Sequence, residues 1–354
     1  MRTEPRALAS GRLTRLCLAI LLAPAWVMAE AGSSVNDMVA HLRAAVAKSE
    51  PDMQIAKYVQ KVKLTQSLDD TTIEQLESAG VGPKGVEALQ ALRDTSHALP
   101  PPKEAVPGFE FPGPPGLDDL RRTLAETRKL ALGYTETLPD FICTENVRRY
   151  LDPKAAGAWK EADTLTVKLS YYQQKEDYQL LLVNGRQSAK SYESAGGAIS
   201  KGEFGSMLLE IFDPATAAVF RWDHWTTLRK RRAIVFSYRI AAGRSHYKIM
   251  FDGNGERLTA VAGQHGFVYV DTETNTVLRL TREADNLPAS FPIQRASSLL
   301  DYDFTDVGGK PFLLPLRAEI RMLSPSGQNR NVVEFRGYRK FSGESSISFE
   351  LKDK

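Results

Sequence analysis

A long series of short alternating segments, running from about residue 134 onward, constrains the fold more than any other feature. In Leu165-Thr166-Val167-Lys168-Leu169-Ser170-Tyr171 every second side chain is apolar. A polar turn at 173–177 follows, residues 178–183 return, and Asn184-Gly185 is a strong two-residue turn signal. Residues 232–240 and 245–251 read as a hairpin around Ala242-Gly243, and Asp252-Gly253-Asn254-Gly255 turns again. Phe267-Val268-Tyr269-Val270-Asp271 is expected to pair with Thr276-Val277-Leu278-Arg279-Leu280. Further strands are expected at 299–307, 312–322 and 331–341. A two-residue period broken by turns every 8–12 residues marks an antiparallel sheet, not βαβ units. One helical island interrupts it at 200–211, with Phe204, Met207, Leu208 and Ile211 on one side.

Ahead of the sheet the period is 3.6. Residues 117–132 form an amphipathic helix with Leu117, Leu120, Leu124, Thr127, Leu130 and Ala131 along its stripe. Residues 30–97 read as a small all-α domain of four helices, with Val35, Met38, Val39 and Leu42 opening its core. Seven prolines at 98–116 mark a Pro/Gly-rich linker of extended character. The fold class is therefore α+β, and residues 117–354 form the antiparallel β-sheet domain with its helix at 117–132.

Residues 1–29 read as a secretory signal peptide. Arg2, Arg6, Arg12 and Arg15 precede a short apolar run, and Val27-Met28-Ala29 suits cleavage after Ala29. Pro24 and the shortness of the run argue against a membrane span, which needs about 20 residues. The reading is a periplasmic or secreted protein that does not span the membrane once the signal is removed. The whole chain carries 46 basic and 43 acidic residues. The signal holds four of those bases and one acid, so 42 of each remain. A balanced chain loses the case for long-range steering toward nucleic acid. Cys17 leaves with the signal, and Cys143 remains alone in an apolar context that favours burial.

No HExxH, GxSxG, Walker A or CxxC pattern occurs, and the five histidines are scattered. Neither a metal site nor a cofactor is expected. The turn at 76–86 resembles helix-hairpin-helix turns, whose backbone N–H groups meet a phosphate, but helix packing is the better reading. Gly196, Gly197, Gly202 and Gly205 form the most glycine-dense stretch, suited to a lid over a pocket. Trp222 and Trp225 stand beside Arg229-Lys230-Arg231-Arg232 and, with Phe204 and Met207, are candidate ligand contacts. The bland reading of that stretch is a strand with aromatics inward and bases on a turn. Asp301 and Asp303 offer a carboxylate pair, though Asp-Tyr-Asp more often marks a sheet's wet face around a buried Tyr302.

The hairpin at 266–280 resembles one that recurs in the periplasmic lipoprotein-carrier (LolA-like) superfamily: apolar strand, Asp, polar turn, then an apolar strand with Arg. The helix at 117–132 and the strand meander are similar too. The chain also resembles exported bacterial proteins carrying Leu-Pro-x-Phe-x-Cys, here at 138–143. The LolA-like resemblance implies a curved, half-barrel-like antiparallel sheet with packed helices enclosing an apolar cavity. It also implies a non-enzymatic protein whose partner is a hydrophobic ligand, a lipid or lipoprotein acyl chain. The alternative is a cell-envelope interaction module that binds another protein.

Overall fold

A computed structural model describes residues 32–103, 111–195, 203–253 and 256–341. The expected signal at 1–29 and the expected lid glycines Gly196, Gly197 and Gly202 lie outside the described residues. No helix among the described residues is long and apolar enough to cross a membrane.

Four helices open the chain. In α1 (Val35–Ala47), Ser34 and Asp37 form a reciprocal capping box. Next come α2 (Asp52–Val59), α3 (Asp70–Ala79), capped by Asp69 and ended by Gly80 at φ +114°, and α4 (Pro83–Ser96). Met38, Leu42, Leu76 and Leu89 fill the core between them. Asp52 accepts hydrogen bonds from the N–H groups of Lys84 and Gly85 at 2.8 and 2.9 Å. The backbone donors of the glycine-rich turn are thus occupied by the chain's own carboxylate, and the turn serves packing.

After α5 (Leu117–Leu132) and the single turn α6 (Tyr134–Thr137) the strands begin. They are β1 (Phe141–Asp152), β2 (Lys160–Tyr172), β3 (Lys175–Val183), β4 (Arg186–Gln187), β5 (Val219–Leu228) and β6 (Arg231–Ile240). There follow β7 (Lys248–Gly253), β8 (Glu256–Val261), β9 (Gly263–Asp271), β10 (Val277–Asp285), β11 (Arg295–Asp306), β12 (Pro311–Ser324) and β13 (Gly327–Lys340). Helix α7 (Ser206–Phe212) lies between β4 and β5. Eleven strands form one open, curved antiparallel sheet in the order β4-β3-β2-β1-β13-β12-β11-β10-β9-β6-β5, and β7 and β8 form a separate ribbon. The accumulated right-handed twist of so many strands curls an open sheet.

The hairpin at 267–280 forms as expected, with Val277 opposite Val270. The expected partnership of 232–240 with 245–251 does not. β6 lies between β5 and β9, while β7 pairs with β8. A 3-10 turn at Ala242–Arg244 follows β6, and the chain returns to the sheet as β9. Gly263 permits that return, because a Cβ there would lie 3.0 Å from the Ala242 nitrogen.

Alternation divides the side chains between two faces. The inner face carries Phe141, Leu169, Phe236, Val268, Leu300 and Phe335, covered by Ala131, Tyr134, Leu208 and Ile211 from α5, α6 and α7. The outer face carries Leu228, Val235, Tyr269 and Leu278 beside a series of buried charges, and α3 and α4 hydrogen-bond to it.

Candidate functional site

The inner face is closed by aromatic packing. Phe204 contacts the rings of Phe141, Tyr171 and Phe335 with centroids 5.1 to 6.2 Å apart. Gly205 opens α7 at φ +128°, and a Cβ there would meet Thr135 at 2.5 Å, so only glycine lets α7 press this close to α6. Phe204 and Met207 are buried in this core.

Trp222 and Trp225 reach the same face by a bulge. Trp222 is opposite Phe236 and Trp225 opposite Ile234, with an extra residue, Asp223, between the registers. Two tryptophans three apart thus share the inner face, while His224 points outward opposite Val235. The Trp225 indole N–H donates to the Gly113 carbonyl at 3.1 Å, and Arg232 stacks on its ring at 4.5 Å. Two more members of the basic cluster, Arg229 and Arg231, are engaged as well. Arg229 binds Asp301, Asp303 and the Tyr302 carbonyl, and Arg231 pairs with Asp271.

An apolar pocket of about 110 Å³ opens where α5 and α6 meet β10 and β12. Thr127, Leu130, Ala131, Leu208, Val277 and Leu313 line it, and none of Phe204, Met207, Trp222 and Trp225 does. Helix α5 is only half seated. Thr127 and Ala131 are buried, but Leu117 is 71% and Leu130 43% exposed. A stripe of leucines on a helix predicts burial, so no sequence signal marks the two that α5 leaves in water.

The outer face holds what sequence reasoning missed. Arg279 hydrogen-bonds Asp301 at 2.6 Å and Glu77 at 2.7 Å. Arg321 reaches Asp94 at 2.8 Å and Glu319 at 2.6 Å, and the Trp159 indole N–H donates to Asp94 at 2.8 Å. Burial works against the Glu319 carboxylate, yet Arg321, Arg330 and Arg317 around it hold its pKa well below the usual range. Asp301 is also held low: burial opposes its charge, but Arg279 and Arg229 outweigh burial. Asp301 is thus already ionised near neutral pH and has no proton to donate there, and Arg229 joins it to Asp303 in an ion-pair network. A cleft of about 930 Å³ runs between these helices and the sheet, with Phe267, Thr281 and Leu299 among its lining. Among the described residues no cluster suits a metal ion.

No family model matches the chain. No curated protein matches it either. Among solved structures it is similar to a LolA superfamily protein from Nitrosomonas europaea, at 8% identity and TM-score 0.33, over 63% of this chain and 93% of that one. It is also similar to a DUF1329 family protein from Desulfovibrio piger, at 11% identity and TM-score 0.31, over 63% and 95% of the two chains. An outer membrane lipoprotein-sorting protein domain from Vibrio parahaemolyticus gives 10% identity and TM-score 0.28, over 63% and 92%. The chain resembles LolA-like proteins, and the likeness is one of fold.

Proposed function

We propose that this is an exported, periplasmic binding protein that takes a hydrophobic ligand, a lipid or lipoprotein acyl chain, onto the inner face of its sheet. The observation that carries the reading is the half-seated α5 above an apolar pocket, with Leu130 at the mouth, 43% exposed. The pocket of about 110 Å³ is smaller than the roughly 300–1,000 Å³ of small-molecule sites, so α5 and α6 move outward to admit a chain. Lifting such a helix loses less apolar contact than lifting a fully seated one, because Leu117 and Leu130 are already in water.

A fluorescent fatty acid should bind the wild-type protein, and protein purified from cell envelopes should carry lipid in native mass spectrometry. Leu130→Glu should weaken fatty-acid binding about tenfold without changing the fold, since a charge would then face the apolar mouth. Absence of both binding and co-purified lipid sinks the reading. The second reading, an envelope protein–protein interaction module, draws its support from the aromatic packing that closes the inner face around Phe141, Tyr171 and Phe204. It gains if cross-linking captures a protein partner while no lipid is found.

A further inference from the structure

We infer that the hydrophobic ligand carries a cationic amine, received by a buried acidic cluster on the inner face around Glu145. The inference rests on the reading above and names the class of ligand. Glu145 follows Phe141 and Cys143 in the inward phase of β1 and is 2% exposed. Its Oε1 is buried without a hydrogen-bond partner. Two more carboxyls lie beside it. The Tyr178 hydroxyl on β3 donates to Glu176 at 2.5 Å and stands 3.3 Å from Glu203.

Burial first, and then the charges of Glu203 and Glu176, push the Glu145 pKa well above the usual carboxylate range. Arg149, the next cation in the same phase of β1, is held by Asp163 at 2.5 and 2.6 Å. A buried acid without a partner is what an incoming ammonium group would satisfy. Packed side chains bridge the cluster and the apolar pocket. Tyr134 lines that pocket and meets Tyr302 edge-on at 5.9 Å, and the Tyr302 hydroxyl donates to the Glu203 carbonyl at 3.3 Å. An amphiphile with its tail at α5 and its head at β1 and β3 would lie across the inner face. On binding, Glu145 gives its proton to solvent and becomes the counter-ion of the ammonium.

The test compares dodecylamine, dodecanol and dodecanoate below their aggregation limits, using full-length protein and calorimetry in two buffers of different ionisation heat. Wild type should bind the amine about tenfold tighter than the alcohol, bind dodecanoate weakest, and release close to one proton with the amine only. Glu145→Gln keeps shape and neutrality, so the alcohol affinity should stay unchanged while the amine preference and proton release vanish. Near-UV circular dichroism of that variant should match wild type. Glu203→Gln is the second variant and should reduce the same preference in part. Dodecanoate binding as tightly as the amine, or an amine preference that survives Glu145→Gln, overturns the inference alone. Failure of all three probes on wild type overturns the hydrophobic-ligand reading, and this inference with it.

Discussion

Arg279 of the sheet and Glu77 of α3 form a two-toothed ion pair, with contacts of 2.7 and 3.0 Å and both side chains 9% exposed. The arginine also holds Asp301, so one guanidinium joins neighbouring strands to the helices above them. Truncating Glu77 would leave part of a buried cation uncompensated. Glu77→Ala should cost about 3 kcal/mol in urea unfolding, and Glu77→Gln less. Deleting residues 30–97 would strip the partners of Arg279 and Arg321 together. Such a deletion should yield aggregated protein, so point variants are the better probe of the helices.

The histidine at the same joint makes stability depend on pH. Burial opposes charge on His224, but hydrogen bonds to Glu74 at 2.7 Å and Asp223 at 2.6 Å outweigh it and raise its pKa to about 9. A group whose folded pKa is raised contributes fully below its unfolded value of about 6.5 and loses that contribution as pH climbs through about 9. The ring is 39% exposed, which limits the effect to below about 1 kcal/mol. Unfolding free energy should fall between about pH 6.5 and 9 in wild type, and His224→Gln should flatten that slope.

Gly157 lies against the end of α4. Its φ is +78°, and a Cβ would sit 1.9 Å from the Asp94 carbonyl oxygen. Neither the backbone angle nor the space admits a side chain. Gly157→Ala should lower stability by about 2–4 kcal/mol, read as a drop in the urea midpoint.

The β5–β6 hairpin closes on Arg229-Lys230, both in the left-handed region at φ +48° and +68°. Arg229 is repaid by Asp301 and the Tyr302 carbonyl. Lys230 is exposed, and glycine would adopt the same angle without strain. Lys230→Gly should stabilise the protein by about 0.5–1 kcal/mol, seen as a higher thermal midpoint.

Cys143 is free and buried, and burial first, then Glu145, pushes its thiol pKa well up. A thiol-specific chromogenic reagent should leave it untouched in native protein and react with it in denaturant. Fast reaction in the native state would contradict this burial.

Local periodicity was enough for most of the fold. The expected helix at 117–132 is α5 (Leu117–Leu132), residue for residue, and the antiparallel meander is the eleven-stranded sheet. The pairing of β6 with β9 was not legible, because consecutive strands favour the nearer partner and only the turn after Ile240 redirects the chain. The charged outer face was misread for a related reason. Arg279, Asp301, Arg317, Glu319 and Arg321 alternate with apolar residues as a solvent-facing row would. Nothing local shows that two helices from the other end of the chain cover them. Glu145 is the same problem inverted, an acid in an inward phase that only burial makes unusual.

The pairing of β1 with β13 sets Phe141 beside Lys340. The middle of the sheet therefore joins segments some two hundred residues apart, and its central ladder cannot close until β13 has left the ribosome. Contacts this distant in sequence also fold slowly. Throughout synthesis the sheet region lacks this seam, so the facing edges of β1 and β12 stay unpaired until the last strand arrives.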